Sequence, residues 1–274
     1  MKVKIYGCRG SVPTSRHPAS TYGGNTSCVY LKMSGQEILL DAGSGLVQFD
    51  NDVRENNLDV KYPLNILLSH LHLDHTIGLT VFAPVWNPDL GVKIYTPTRD
   101  ERMLKQQIFG SFEPPYWPLS MVEAAYADCV PVEDRVPFKL GPLTITPFSA
   151  THPDDTYSFH ITDGKQTVVH LLDSETTMLD KDGYERLVNY CTDADLVVFD
   201  AAYSPLDYVK KVGFGHSTVE DGFKLAEKSN CKRMLFSHFG YEYSDDDLKE
   251  LDKTVKDRDE KYIFSREGME LEFP

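Results

Sequence analysis

The feature that most constrains this chain is a run of metal-capable side chains directly after a short apolar segment. Residues 64–68 read Leu-Asn-Ile-Leu-Leu, which is typical of a buried strand, and the sequence His-Leu-His-Leu-Asp-His begins two positions later. Imidazole and carboxylate are donors that borderline divalent ions accept, and burying four of them together without a ligand is costly. We therefore predict a metal site on the end of a strand, built from His70, His72, Asp74 and His75.

Composition narrows the class of protein. The chain has 274 residues, of which 41% are hydrophobic and 26% charged, and it shows no low-complexity run or fixed-period repeat. We expect one globular domain over 1–274. The formal net charge of −14 disfavours an extended nucleic-acid-binding surface, because affinity for polyanions depends on neutralising their phosphates. A small phosphate drawn to a metal pocket stays compatible with this charge.

The sequence carries no sign of a membrane segment or of disulfides. No stretch approaches the roughly 18 consecutive apolar residues of a membrane-spanning helix, and the first residues lack the apolar region of a signal peptide. Five cysteines without CxxC spacing favour reduced thiols over a disulfide framework or a cysteine-ligated zinc. We expect a cytoplasmic protein that contacts no membrane, and the sequence is compatible with a homodimer.

Strand and helix patterns alternate along the chain and indicate two packed sheets covered by helices. Strands are predicted at 3–7, 28–33, 37–41, 64–68, 92–95, 143–148, 157–161, 167–172, 196–200 and 233–236. Helices are predicted up to about residue 56, around 99–109, 182–190 and 218–229, and from 243–247 onward. Metal-capable residues recur at the ends of predicted strands: Asp41, His70, His152, Asp173, Asp200 and His238. Of these, His152, Asp173 and His238 are candidates for the further donors that two metal sites would need.

The other histidines separate by context. His216 lies in a glycine loop ahead of a predicted helix, where it could deliver a proton to a leaving group or simply hydrogen-bond near the helix start. His160 and His170 lie inside predicted strands, so packing is the expected role, and His17 lies in a loop that would only border a pocket.

Three other features have two readings each. The aromatic and proline-rich segment 110–118 is either a lid or a loop packed on the body. Arg9 either contacts a substrate phosphate or forms a surface ion pair, of which we favour the latter. The aspartates at 245–247 could be ligands, but with Ser244 before them they favour helix capping.

The residues resemble a known family. The stretch from His70 to His75 is similar to the HxHxDH signature of hydrolases with the metallo-β-lactamase fold, and His152, Asp173 and His238 follow in the order that superfamily uses. The motifs at 7–13, 22–28, 41–45, 200–203 and 215–218 resemble its phosphodiesterase branch, which includes ribonuclease Z and small cyclic-phosphate phosphodiesterases.

This resemblance implies an α/β fold, the four-layer αββα sandwich, with a dinuclear site at one edge. His70, His72 and His152 would hold one ion, Asp74, His75 and His238 the other, and Asp173 would bridge them. His216 matches the proton-donating histidine of the branch, with Asp200 orienting it, and Asp74 also belongs to the catalytic set. Zinc is the first expectation, with manganese and iron as alternatives, because nitrogen and oxygen donors do not separate these ions.

The implied function is a dinuclear metal-dependent phosphodiesterase. Its substrate would be a small diester, in the first place a cyclic nucleotide or cyclic phosphate, attacked by a metal-bridging hydroxide. A ribonuclease Z-like endonuclease that processes tRNA 3′ ends is the first alternative, against which the acidity and the lack of an obvious basic, glycine-rich arm weigh. A thioester or lactone hydrolase is the second, although it would not call for the loop of His216.

Overall fold

The computed structural model of the chain describes residues 1–15, 20–98 and 100–274, and it contains two mixed β-sheets with helices on their outer faces. The first seven strands in chain order are β1 (Lys2–Gly7), β2 (Cys28–Met33), β3 (Gln36–Leu40), β4 (Leu64–Leu67), β5 (Val92–Pro97), β6 (Asp128–Val132) and β7 (Phe138–Leu140). The other seven are β8 (Leu143–Ser149), β9 (Tyr157–Thr162), β10 (Thr167–Leu171), β11 (Leu196–Asp200), β12 (Met234–Ser237), β13 (Tyr262–Phe264) and β14 (Glu270–Glu272). His17, which was expected to do no more than border a pocket, lies outside the described part of the chain.

The helices fill the connections between strands. They are α1 (Gly45–Arg54), α2 (Leu73–Thr76), α3 (Ala83–Trp86), α4 (Leu104–Phe109), α5 (Met121–Ala124), α6 (Lys181–Cys191), α7 (Pro205–Tyr208), α8 (Val219–Ser229) and α9 (Asp245–Arg258). Short 3-10 turns occupy Ile77–Thr80, Glu101–Met103 and Thr176–Met178. Helix α9 begins with a capping box between Ser244 and Asp247, which confirms the capping interpretation of the aspartates there. No helix in the described residues is long and apolar enough to cross a bilayer.

The two sheets have the same pattern of strand directions. The first runs β14-β1-β2-β3-β4-β5-β6 and the second runs β7-β8-β9-β10-β11-β12-β13. In this order each sheet has three antiparallel pairings followed by three parallel ones. Because parallel strands share their direction, the carboxyl ends of β3 and β4, and likewise of β10, β11 and β12, meet at one edge of their sheet.

Side chains alternate between two hydrophobic clusters, as the pleat of a strand requires. Ile38 and Leu40 of β3 lie in the larger cluster, which joins the two sheets and reaches helices α6, α8 and α9, whereas Leu39 lies in the smaller one. The smaller cluster includes Phe49 of α1 and Ile108 of α4, so it lies between the first sheet and its own helices. Helices, sheet, sheet and helices form four layers, and the predicted αββα sandwich is confirmed.

The segment 110–118 packs on the body of the protein. Phe112 is buried in the smaller cluster, and Trp117 packs against it with ring centroids 6.4 Å apart. Tyr116, in contrast, is 87% exposed. These contacts agree with the packed-loop reading.

The ion-pair reading of Arg9 is right in part: Nη2 lies 3.8 Å from Oδ1 of Asp245, but the arginine side chain is completely buried and does not lie on the surface. The guanidinium Nε donates to the carbonyl of Gly23 at 2.9 Å and Nη1 donates to that of Tyr243 at 3.1 Å. A guanidinium offers five donors in a fixed fork, which suits it to several carbonyls at once. Arg9 therefore ties the loop after β1 to the segment before α9.

Candidate metal centre

The candidate site forms where strand ends of the two sheets meet. Asp41 follows β3, His70 follows β4 by three residues, Asp173 follows β10, and His238 follows β12. Asp41, Asp173 and His238 have φ angles of 61°, 50° and 66°, a left-handed conformation that turns the chain sharply as it leaves the strand. Non-glycine residues adopt it at some cost, and such residues concentrate at functional sites.

Three histidines form what we call the first cluster: His70, His72 and His152. Together with Asp173 they offer ligand atoms that all lie within 4.8 Å of one another. Nε2 of His152 is 3.3 Å from Nδ1 of His72. Oδ2 of Asp173 is 3.7 Å from Nε2 of His70 and 3.9 Å from Nε2 of His152. The atoms surround a space that one ion could share.

Asp74, His75 and His238 form the second cluster, again with ligand atoms within 4.8 Å. The Nε2 atoms of its two histidines are 3.2 Å apart, and each is 3.3 Å from Oδ2 of Asp74. Each is also 3.2 Å from Oδ1 of Asp173. Asp173 thus presents one carboxylate oxygen to each cluster.

The hydrogen bonds around the histidines fix which ring nitrogen faces inward. Nδ1 of His75 lies 2.9 Å from a carboxylate oxygen of Asp41, and Nε2 of His72 lies 2.7 Å from one of Asp154. Nδ1 of His152 lies 3.1 Å from the carbonyl oxygen of Gly215. Because these oxygens only accept, the nitrogens facing them carry a proton, and a ring that is otherwise neutral directs the lone pair of its other nitrogen into the site.

This arrangement fits divalent ions. The Nε2 atoms of His75 and His238 face each other at 3.2 Å, where one ring must carry a proton for the pair to hydrogen-bond, and Nε2 of His70 is buried without a hydrogen-bond partner among the described residues. A cation in each cluster would accept the lone pairs of these three nitrogens when the rings are neutral. Three imidazoles with carboxylate, or two imidazoles with two carboxylates, are donor sets suited to zinc, manganese or iron.

The buried carboxylates make the electrostatic potential of the centre negative, which favours positive charge there. Burial alone lowers the pKa of His75, but the charges of Asp173, Asp74 and Asp41 outweigh it and raise the pKa well above the ordinary value. Burial raises the pKa of Asp74 and Asp173, but neighbouring His75 and His238 hold both values low. Burial, with the nearby His75, lowers the pKa of His70. Ions bound here would supply the positive charge that these ionised carboxylates otherwise draw from protonated histidine.

Two carboxylates orient site histidines, and only one of them could be recognised as metal-capable from the sequence. Asp41 is completely buried, and besides His75 it accepts from the backbone N–H of Ser69 at 2.8 Å. Burial raises the pKa of Asp41, but the charge and hydrogen bond of His75 lower it to about 2. Its position at a strand end marked it as metal-capable, although no partner was predicted. Asp154 was missed, and its one signal is a carboxylate two positions after His152.

Two glycines allow backbone to approach the imidazoles. A Cβ on Gly10 would lie 2.7 Å from Cε1 of His238, and one on Gly215 would lie 2.2 Å from Nδ1 of His152. Gly215 also has a φ of 88°, which favours glycine. These contacts give a physical reason for glycine in the motifs at 7–13 and 215–218.

His216 lies beside both clusters and is paired with Asp200. Its Nδ1 is 2.8 Å from Oδ2 of Asp200, which also accepts from the N–H of Ser174, while Oδ1 accepts from the N–H of Ala202. Burial lowers the pKa of His216, but the charge and hydrogen bond of Asp200 raise it to about 9. These two residues also lie within ligand distance of Asp173 and His238, but their facing atoms are already bonded to each other.

The structure brings all nine predicted site residues into this centre: His70, His72, Asp74, His75, His152, Asp173, Asp200, His216 and His238. His160 and His170 lie in β9 and β10. Nε2 of His170 is 3.6 Å from Asp41, so this residue adjoins the carboxylate that orients His75.

Comparison with known proteins identifies the family. The profile of the beta-lactamase superfamily domain matches residues 36–239, a range that includes all nine site residues. The chain belongs to the beta-lactamase superfamily. The metallo-β-lactamase fold within it, which the HxHxDH resemblance implied, is confirmed by solved structures.

Several known proteins are similar over nearly the whole chain. The probable metallo-hydrolase YhfI of Bacillus subtilis is 26% identical over 266 residues, 93% of each chain, and its crystal structure matches with a TM-score of 0.70 over 99% of both chains. Ribonuclease Z of Azobacteroides pseudotrichonymphae is 25% identical over 284 residues, covering 92% of this chain and 93% of the relative. A diphosphatase from the PhnP family has a TM-score of 0.71 at 18% identity, covering 100% of this chain and 98% of its own.

Proposed function

We propose that this superfamily member is a dinuclear metal-dependent phosphodiesterase acting on a small diester, in the first place a cyclic nucleotide or cyclic phosphate. The observation that carries the proposal is the position of Asp173, whose two carboxylate oxygens each face a separate cluster of ligand atoms. Such a shared carboxylate suits two ions held side by side, the arrangement used for in-line displacement at phosphorus.

We assign His70, His72 and His152 to one ion and Asp74, His75 and His238 to the other, with Asp173 between them. Zinc is our first choice, and manganese and iron are the alternatives that the same donors accept. Ions in such sites supply Lewis acidity, which lowers the pKa of water and stabilises charge on phosphate oxygens.

His216 is the group that would protonate the leaving oxygen. Its Nδ1 is held by Asp200, which fixes the ring and leaves Nε2 as the nitrogen that can carry a proton to substrate. Oδ2 of Asp173 lies 3.9 Å from Nδ1 of His216, so the His216 ring lies beside the site proposed for the two metal ions. A proton donor at this place favours an ester with a poor leaving group.

The surroundings of the first cluster favour a small substrate. A cavity of about 320 Å³ opens beside His72, between the loop after β4 and the start of the loop after His152, and its lining includes Gln107. This volume is at the lower end of the range for small-molecule sites. Asp154 and Asp155 line the same cavity, and their charge disfavours a polyanion there.

The names of the relatives support hydrolysis at phosphorus. One is a ribonuclease Z, one is a diphosphatase, and one is a probable metallo-hydrolase. Similarity to ribonuclease Z makes tRNA 3′ processing the second candidate. The net charge of −14 speaks against it, because electrostatic contacts supply much of the affinity for RNA.

The test is a substrate panel with metal-loaded protein: bis(p-nitrophenyl) phosphate, cyclic nucleotides, a precursor tRNA with a 3′ trailer, and a thioester. We expect turnover of the first two and about two ions per chain by elemental analysis. Efficient cleavage of the tRNA alone would favour the endonuclease. Hydrolysis of the thioester without any phosphodiester would reject the proposed reaction class.

A further inference from the structure

A buried glutamate without a role in the assigned site lies two residues after Asp173. Glu175 is 1% exposed, and its carboxylate accepts four hydrogen bonds. The N–H of Gly213 lies 2.9 and 3.0 Å from its two oxygens, the N–H of Gly215 is 2.8 Å from Oε2, and the hydroxyl of Tyr208 is 2.7 Å from Oε1. Three of these donations come from the loop that leads to His216.

The partners of Glu175 explain why a carboxylate is buried there. Burying a charge is costly unless hydrogen bonds or a counter-charge offset it. Among the described residues its hydrogen-bond partners are amide N–H groups and a phenol, with no cationic side chain. The carboxylate therefore acts as an anchor for backbone that has no regular secondary structure.

The loop needs such an anchor. Gly213 and Gly215 both have a φ of 88°, and neither lies in a helix or strand that would hold it. The residues around them offer little burial, because Val212 is 53% and Phe214 54% exposed. Polar contacts on the inner side of the loop, more than apolar packing on its outer side, hold it against the site.

Neighbouring residues join the same two segments. The hydroxyl of Ser217 donates to the carbonyl of Ser174 at 2.6 Å, and the N–H of Thr176 donates to that hydroxyl at 3.1 Å. The segment 174–176 is thus bonded along the loop 213–217. The first segment continues directly from Asp173. The position of the loop is therefore fixed relative to the carboxylate that the two clusters share.

The far side of the loop contacts two site histidines. The carbonyl of Gly215 accepts from Nδ1 of His152, and the next residue, His216, reaches Asp200. We propose that Glu175 is a positioning residue: by holding Gly213 and Gly215 it places His216 for proton delivery and keeps His152 aimed at the first cluster. The part that concerns His216 rests on the proposed phosphodiesterase function.

The experiment compares Glu175→Ala and Glu175→Gln with Glu185→Gln, a control in helix α6 whose side chain is exposed and lies 3.9 Å from Lys181. Two substrates separate positioning from general damage. The nitrophenolate of bis(p-nitrophenyl) phosphate departs without a proton, whereas the alkoxide of a cyclic nucleotide needs one. We expect Glu175→Ala to lower kcat on the cyclic nucleotide by about 10–100-fold, and kcat on the nitrophenyl ester by less than about 3-fold, with little change in KM.

Glu175→Gln retains one carbonyl acceptor and should recover part of the lost rate, while Glu185→Gln should match the wild type. Equal losses on both substrates, with two ions still bound, would overturn the positioning role. Hydrogen exchange of the peptide 209–218 supplies a readout that needs no activity. We expect faster exchange of the Gly213 and Gly215 amides in Glu175→Ala, and unchanged exchange would also overturn the inference.

These outcomes are separate from a failure of the proposed function. A wild-type protein that hydrolyses neither ester rejects the phosphodiesterase proposal, and the exchange experiment still decides whether Glu175 holds the loop. An active wild type whose Glu175→Ala variant behaves like Glu185→Gln rejects the positioning role alone.

Discussion

The two clusters that share Asp173 are built from different kinds of structure. In the first, the side chain of His72 is 43% exposed and its orienting partner Asp154 is 66% exposed, while His152 comes from a loop. In the second, His75, His238 and Asp74 are buried, and their partner Asp41 is buried as well. Asp74 is held further by the N–H of Ser11 at 2.7 Å.

This difference bears on what each cluster can do. Hydrogen bonds in a buried, low-dielectric environment hold their groups more firmly than those at the surface. We therefore expect the second cluster to bind its ion more tightly and to exchange it more slowly. The first cluster borders the cavity beside His72, so we expect substrate and solvent to reach the centre from this side.

The largest effect is expected for Asp173→Asn, which removes the charge that the two clusters have in common. Both ions should bind weakly, and turnover should fall by about 10³-fold or more, since ions of this kind contribute several kcal/mol to the reaction. Elemental analysis and phosphodiester turnover would measure this, with the exposed Asp182→Asn in α6 as control. A variant that retains two tightly bound ions would show that Asp173 is not shared.

The next effect is expected for Asp41→Asn, which weakens the buried partner of His75. Loss of such an orienting carboxylate typically costs 10–100-fold in metal affinity or activity. We expect a loss toward the upper end of that range, confined to one of two ions in a titration with a metal indicator. If both ions weaken equally, the two clusters are not independent in the way their burial indicates.

Removal of the metal ions should occur at different rates from the two clusters. With limiting chelator we expect two phases of ion release, the faster from the first cluster because His72 is partly exposed. The variant His72→Ala should remove the fast phase and leave the slow one. A single phase in the wild type would contradict the difference between the clusters.

The smallest effect is expected for Asp154→Asn. This residue pairs with His72 at 2.7 Å, but both side chains are exposed, and exposed pairs contribute little and are screened by salt. We expect less than about a 10-fold loss in affinity for one ion, and a smaller loss at high salt. A loss as large as that of Asp41→Asn would show that exposure does not rank the two orienting contacts.

Much of the fold followed from local sequence, and the exceptions have a common cause. The apolar run at 196–200 is strand β11 with the predicted bounds, because its residues are buried on both faces of the sheet. The short strands β6, β7, β13 and β14 were not predicted. Strand β14, for example, reads Glu-Leu-Glu and has no apolar pattern of its own; its extended form comes from pairing with Lys2, Val3 and Lys4 of β1.

The candidate site likewise has residues that could be predicted from the sequence and residues that could not. The donors could be listed from the sequence because histidine and aspartate at strand ends are visible there, and their division into two clusters came from family resemblance. The supporting contacts of Asp154 and Glu175 could not be predicted, since they depend on which atoms meet across distant segments. The burial of Arg9 could not be predicted for the same reason, since it is created by residues near 240 folding over the loop after β1.

The order of the ligands along the chain has a consequence for synthesis. Strand β4 and helix α2 deliver four donors early, but each cluster also needs a donor from the second sheet, and the last of these, His238, follows β12. A partly made chain that ends before His238 would hold an ion in the second cluster through an incomplete set of donors. The centre can thus be completed only after β12 has been made and the two sheets have docked, and ions bound there would link the two sheets.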